Sequence, residues 1–255
     1  GNGPILNTVT KTPILIAGLG IILIFVSTIA LVIHGSGGLT SDWYVSPMSL
    51  LLIVIFLVSM YMIFRHDNQI EEDTSHTANL PKYEAYSLSR SSLVYFVSAA
   101  ALVGASVILA KAGASIAEMM GWEASFVGTQ FLALSTSLPE LATSLAAVKL
   151  GAPELAISNV LGSNIFNMGF VLFVDDLAYV DGPLWGGVSQ IHILTGIIAI
   201  LMTAVVMTSL IAGKSIGHRD IVLSYRGYKT KVWTLEGIVL SILYVTASIL
   251  MFKMA

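Results

Sequence analysis

The sequence contains no cysteine, which excludes disulfides, thiolate metal sites and cysteine nucleophiles. Charge is scarce: 11% of the 255 residues are Asp, Glu, Lys or Arg, against about 25% in soluble domains. The net charge of −3 supplies no basic excess for nucleic acid. The His-Glu-x-x-His word of many zinc proteases is absent. The apolar stretches hold no Asp pair for an aspartyl protease, and His192 is only a remote candidate for the base that a serine nucleophile needs. Two rival classes remain beside transport: an intramembrane hydrolase and a non-transporting structural membrane fragment.

Apolar residues are plentiful. Hydrophobic side chains make up 56% of the sequence and mean hydropathy is +0.86. Seven runs approach the roughly 20 residues that a helix needs to cross a bilayer: Pro13–His34, Met48–Arg65, Ser91–Lys111, Ser125–Val148, Leu155–Phe173, Gln190–Ala212 and Thr234–Met251. The pattern predicts an all-α integral membrane protein with seven transmembrane helices. Residues 66–90 read as a long polar linker and 213–233 as a second polar loop. The chain opens on Gly1 rather than Met and is expected to be part of a longer one.

Placing loops on alternate sides puts ten of the twelve Lys and Arg residues on one face and leaves Lys111 and Lys253 on the other. The positive-inside rule makes the richer face cytoplasmic. It predicts linker 66–90 inside, Gly1 inside and Ala255 outside.

Glu140 is the one ionisable residue placed deep within a span, in Leu134-Ser135-Thr136-Ser137-Leu138-Pro139-Glu140-Leu141. A carboxylate at that depth costs several kcal/mol and commonly marks an ion or proton path. Pro139 lacks an N–H and crowds the carbonyl four residues back, at Ser135, so carbonyls near Ala133 and Ser135 are expected to become available. Thr136, Glu140 and Ser144 recur at i, i+4 and i+8, which places them on one helix face. Ser137 sits beside that stripe. Asn159, Ser163 and Asn167 repeat the spacing in the next span. Only residues 149–154 separate the two runs, so the helices are expected to be antiparallel neighbours with facing stripes. The donors are all oxygen, which suits hard cations such as Ca²⁺ and Na⁺. The competing reading is that these hydroxyls and amides only hydrogen-bond helix to helix.

Residues 128–167 resemble the α-repeat of the cation/Ca²⁺ exchanger superfamily. The resemblance is carried by Thr136-Ser137-Leu138-Pro139-Glu140-Leu141 and Asn159-Val160-Leu161-Gly162-Ser163-Asn164-Ile165-Phe166-Asn167. It implies a ten-helix inverted-repeat exchanger, of which the seven spans would be the fourth through tenth. Residues 1–65 would then be the remainder of the first half, 66–90 the cytoplasmic linker and 91–255 the second half. The implied activity is antiport of Ca²⁺ against Na⁺ at a midplane site, with H⁺ coupling as the alternative, in the plasma membrane. No cofactor is implied beyond the transported Ca²⁺ and Na⁺. The implied ligands are the Glu140 carboxylate, the Thr136, Ser137 and Ser163 hydroxyls, the Ala133 carbonyl and the Asn167 amide.

Three positions depart from the family pattern. Ser135 and Ser158 replace glycines, and Asn167 stands where K⁺-dependent members resemble an Asp version. Charge balance sets a larger demand. A divalent ion in low dielectric needs more than one carboxylate, and no second Thr-Ser-Leu-Pro-Glu word occurs. The site is therefore expected to be half a site, completed by a partner: a missing N-terminal half carrying the first α-repeat.

Other acids read more plainly. Asp175, Asp176 and Asp181 are expected to form a solvated loop, Glu71, Glu72 and Asp73 a charged linker, and Glu236 a first-turn helix acid. His192 is expected at the membrane interface.

Overall fold

The computed structural model describes residues 11–37, 45–74, 87–180, 184–212, 221–225, 228–233 and 235–254. Seven of its helices are long and apolar enough to cross a membrane. They are α1 (Thr12–Gly35), α2 (Pro47–Asn68, with a helical extension to Thr74), α3 (Leu88–Met120), α4 (Ala124–Lys149), α5 (Pro153–Ala178), α6 (His192–Ala212) and α7 (Leu235–Met254). A one-turn helix, Leu184–Gly187, lies between α5 and α6. The expectation of a membrane fold of seven helical spans holds.

The loop before α7 differs from the sequence reading. It contains a two-stranded antiparallel hairpin, β1 (Ile221–Tyr225) and β2 (Tyr228–Trp233). Apolar and β-branched residues at Ile221, Val222, Val232 and Trp233 flank its polar ones, a composition that favours strands. The α3 helix also runs nine residues past Lys111, to Met120. Gly121 ends it at φ 63°, where the Trp122 N–H returns to the Ala117 carbonyl at 2.9 Å. Much of the expected linker lies outside the described residues.

Two compact units form. One takes in Gly1–His66 and Pro139–Met254, the other Asp67–Leu138.

The first unit is built on α1. Half of its most apolar window is buried, against at most 17% in any other span. A helix that is apolar all round belongs in the interior, and α1 packs on α5 and α6 there. Two of its buried hydroxyls are satisfied within the helix: Ser27 donates to the Leu23 carbonyl at 2.8 Å and Thr28 to the Ile24 carbonyl at 2.7 Å. The core joins Leu23, Leu31, Leu52, Phe56, Leu161 and Ile165. Phe56 of α2 meets Phe166 and Phe170 of α5, with ring centroids 6.2 and 6.1 Å apart. Gly169 permits this approach, because a Cβ there would stand 2.5 Å from the Phe56 Cβ.

In the second unit Gly113 of α3 faces Leu132 of α4 in the same way, with a notional Cβ 2.6 Å from the Leu132 Cδ2. Trp122 and Phe131 stack at 5.8 Å with planes 14° apart.

Candidate functional site

The α4 helix is interrupted as Pro139 requires. A wide π turn occupies Gly128–Leu132, a short α segment covers Ala133–Thr136, and Ser137, a single turn residue that stays in the right-handed region at φ −88°, ψ −2°, interrupts the hydrogen-bond ladder. A new helix runs from Leu138 to Lys149. Glu140 therefore stands in a first turn, where the positive end of the helix dipole favours an anion. The Ser135 carbonyl loses its i+4 donor, because that donor would be Pro139, but it accepts a backbone N–H at the helix cap instead, so it is not left open as the sequence suggested. The Ala133 carbonyl accepts the Ser137 N–H and the Thr136 hydroxyl, both at 3.1 Å. Thr136 also donates to the Leu132 carbonyl at 3.0 Å.

The α4 and α5 helices meet as the facing stripes predict. Asn159 Nδ2 donates to the Glu140 carbonyl at 3.2 Å, to Thr143 Oγ1 at 3.0 Å and to Ser144 Oγ at 3.1 Å. Ser144 is buried and donates in turn to the Ala156 carbonyl at 3.1 Å. The connection turns through Gly151 at φ 77°, a conformation that glycine adopts without strain.

The Glu140 carboxylate differs from these satisfied groups. Its Oε2 is buried and accepts no hydrogen bond. A buried carboxylate oxygen without a donor is costly, and a cation is one species that relieves the cost. Further along α5, the half-buried Ser163 donates to the Val160 carbonyl at 2.9 Å. A hydroxyl that spends its proton on its own helix keeps its lone pairs for an incoming acceptor-seeking species. Thr136 is arranged alike. Asn167 is exposed and opens a second π turn, Asn167–Val171. Such turns recur at functional sites, and no sequence signal announced either one.

The candidate ligands divide between the two units. Glu140, Ser163 and Asn167 belong to the first; Ala133, Thr136 and Ser137 belong to the second. Among the described residues, no three His, Cys, Asp or Glu side chains come together.

Two acids expected in a solvated loop require correction: Asp175 and Asp176 both lie within helical α5. Asp176, expected in a solvated loop, is 1% exposed. Its Oδ2 accepts the Ser46 N–H at 2.8 Å and its Oδ1 the Leu184 N–H at 3.2 Å. It joins the end of α5 to the start of α2 and to the one-turn helix. Nearby, Trp185 donates from Nε1 to Ser49 Oγ at 2.8 Å and stacks on His34, with ring centroids 5.9 Å apart. Asp175 lies on the same turn, and Asp181 falls outside the described residues. So do the side chains of Glu71, Glu72 and Asp73. Glu236 occupies the first turn of α7 as expected. His192 opens α6 with Nδ1 3.2 Å from Thr195 Oγ1.

The family described as sodium/calcium exchanger protein matches residues 91–253. The candidate antiporter CaxA of Alkalimonas amylolytica is 34% identical over 107 residues, which cover 41% of this chain and 34% of CaxA. The sodium/calcium exchanger MaX1 of Methanosarcina acetivorans is 29% identical over 157 residues, 61% of this chain and 39% of MaX1. The inner membrane protein YrbG of Escherichia coli is 48% identical over 46 residues, 18% of this chain and 14% of YrbG. The chain thus spans well under half the length of these relatives. No solved structure gives a significant match.

Proposed function

The chain belongs to the sodium/calcium exchanger family, and on that premise we propose that it forms part of an antiporter moving Ca²⁺ against Na⁺. The observation that carries the reading is the buried, unpartnered Oε2 of Glu140. It stands at the start of a broken membrane helix, beside an α5 stripe of amide and hydroxyl oxygens. Ca²⁺ and Na⁺ would compete for this carboxylate in alternation. The oxygen-only donor set suits both ions.

Thr136, Ser137 and Ser163 would contribute hydroxyls, Asn167 its amide oxygen and Ala133 its carbonyl. For Ala133 the Thr136 hydroxyl has to turn away first, since both face the same carbonyl now. Asn167 in place of an acid removes one charge and favours exchange that does not require K⁺. Residues 66–90 would face the cytoplasm and Ala255 the outside of the plasma membrane, in keeping with the Lys and Arg asymmetry.

One carboxylate does not balance a divalent ion. The second is assigned to a first α-repeat in a segment beyond this sequence. Isolation of the native protein tests this assignment: it should carry a second Glu in an inverted copy of the motif, and a native chain without one contradicts the assignment.

Proteoliposomes test the activity. ⁴⁵Ca²⁺ uptake should rise when an outward Na⁺ gradient is imposed and fall to background when it is collapsed. Uptake that follows a pH gradient and ignores Na⁺ would replace Na⁺ by H⁺ as the coupling ion. Uptake with no gradient dependence contradicts antiport.

A further inference from the structure

We propose that Asn159 is a positioning residue for the cation site, fixing the Glu140 carboxylate through the Glu140 main chain rather than contacting the ion. The inference rests on the reading of Glu140 as the ion-binding carboxylate.

Three features carry it. Glu140 sits in the first turn after a helix break, so an uninterrupted α4 does not fix its backbone from the N-terminal side. Its carboxylate Oε2 has no donor, so that oxygen is not anchored by a hydrogen bond. Within α4 the Glu140 carbonyl takes the Thr143 hydroxyl at 3.1 Å; the anchor from the neighbouring helix is the Asn159 amide, which crosses from α5 to the same carbonyl at 3.2 Å and to the next turn at Thr143 and Ser144. Asn159 is itself held, because Ser144 ties α4 to the Ala156 carbonyl one turn earlier on α5.

The chemistry of the amide separates this role from that of a ligand. Nδ2 carries two protons and meets three acceptors, all on α4. A nitrogen that presents protons repels a cation. The donor end of Asn159 therefore acts on the ion by where it holds Glu140. Interhelical hydrogen bonds in membranes average about 0.6 kcal/mol and reach about 1.7. Loss of this set converts to a rise of roughly 3- to 15-fold in half-saturating Ca²⁺.

The test uses the full-length protein in proteoliposomes, with flux measured against Ca²⁺ concentration and normalised to folded protein by size-exclusion chromatography. Asn159→Leu keeps the volume and removes the donors. Asn159→Asp keeps the shape and sets a third kind of acceptor against the existing ones. Both should raise half-saturating Ca²⁺ by roughly 3- to 15-fold and leave maximal flux per folded protein within about twofold. ⁴⁵Ca²⁺ binding in detergent should show the same shift, so a low yield of reconstituted variant does not block the result.

An unchanged half-saturation, with only less folded protein, shows a packing role and overturns the proposal. A lower half-saturation in Asn159→Asp shows direct ligation and overturns it too. Glu140→Gln run in parallel distinguishes failure of the premise: retained flux there removes the site itself, whatever Asn159 does.

Discussion

The Asp176 carboxylate and the Ser46 backbone N–H, 130 residues apart in sequence, are joined by a buried 2.8 Å hydrogen bond. Ser46 immediately precedes α2, and its own Oγ accepts the Met48 N–H at 3.3 Å. The first turn of a helix leaves N–H groups without partners, and a buried anion near that end gains from the helix dipole. The second carboxylate oxygen serves the Leu184 N–H in the same way. One acid thus fixes two helix starts against the end of α5.

Removing that acid should destabilise the fold more than it alters ion selectivity. Asp176→Ala leaves the buried Ser46 N–H and the part-buried Leu184 N–H unserved, at a cost of about 1–3 kcal/mol for the buried one. The expected result is a clear loss of melting temperature in detergent, with Asp176→Asn intermediate because it retains one acceptor oxygen. Melting unchanged in Asp176→Ala contradicts the assignment.

Gly169 and Phe56 make a steric prediction. An added Cβ would lie 2.5 Å from the Phe56 Cβ, which is the root of a side chain and not a flexible tip. Gly169→Ala should destabilise by about 1–3 kcal/mol through overpacking. Phe56→Gly in the same chain removes that Cβ and should leave the double variant less destabilised than the sum of the two single losses, as a melting comparison of the single and double variants would show. Additive losses would place the strain elsewhere.

Pro139 separates helix integrity from transport. Pro139→Ala restores an N–H toward the Ser135 carbonyl and removes the ring that crowds it. Helical content by circular dichroism should hold or rise, while Na⁺-driven Ca²⁺ flux should fall at least tenfold. Full flux in that variant would show that the break is not needed.

The spans were legible because twenty apolar residues in a row have few alternatives to a membrane helix. Pro139 announced the break, since a missing N–H acts locally. The facing of Ser144 and Asn159 followed from a four-residue period and a short connection. Three features were hidden. The π turns at Gly128–Leu132 and Asn167–Val171 correspond to no propensity or spacing signal in the sequence. The hairpin Ile221–Trp233 sat within a stretch whose charges read as loop. Asp176 looked like the other acids near it in sequence, because its partners, the backbone N–H groups of Ser46 and Leu184, are not announced by any local pattern.

The central claim is that the Glu140 carboxylate is where Ca²⁺ and Na⁺ compete, and Glu140→Gln tests it most directly. The amide keeps the size and removes the charge. Na⁺-dependent ⁴⁵Ca²⁺ flux should fall to the level of empty liposomes, with the variant still folded by size-exclusion chromatography. Near-normal flux in folded Glu140→Gln protein would contradict the account.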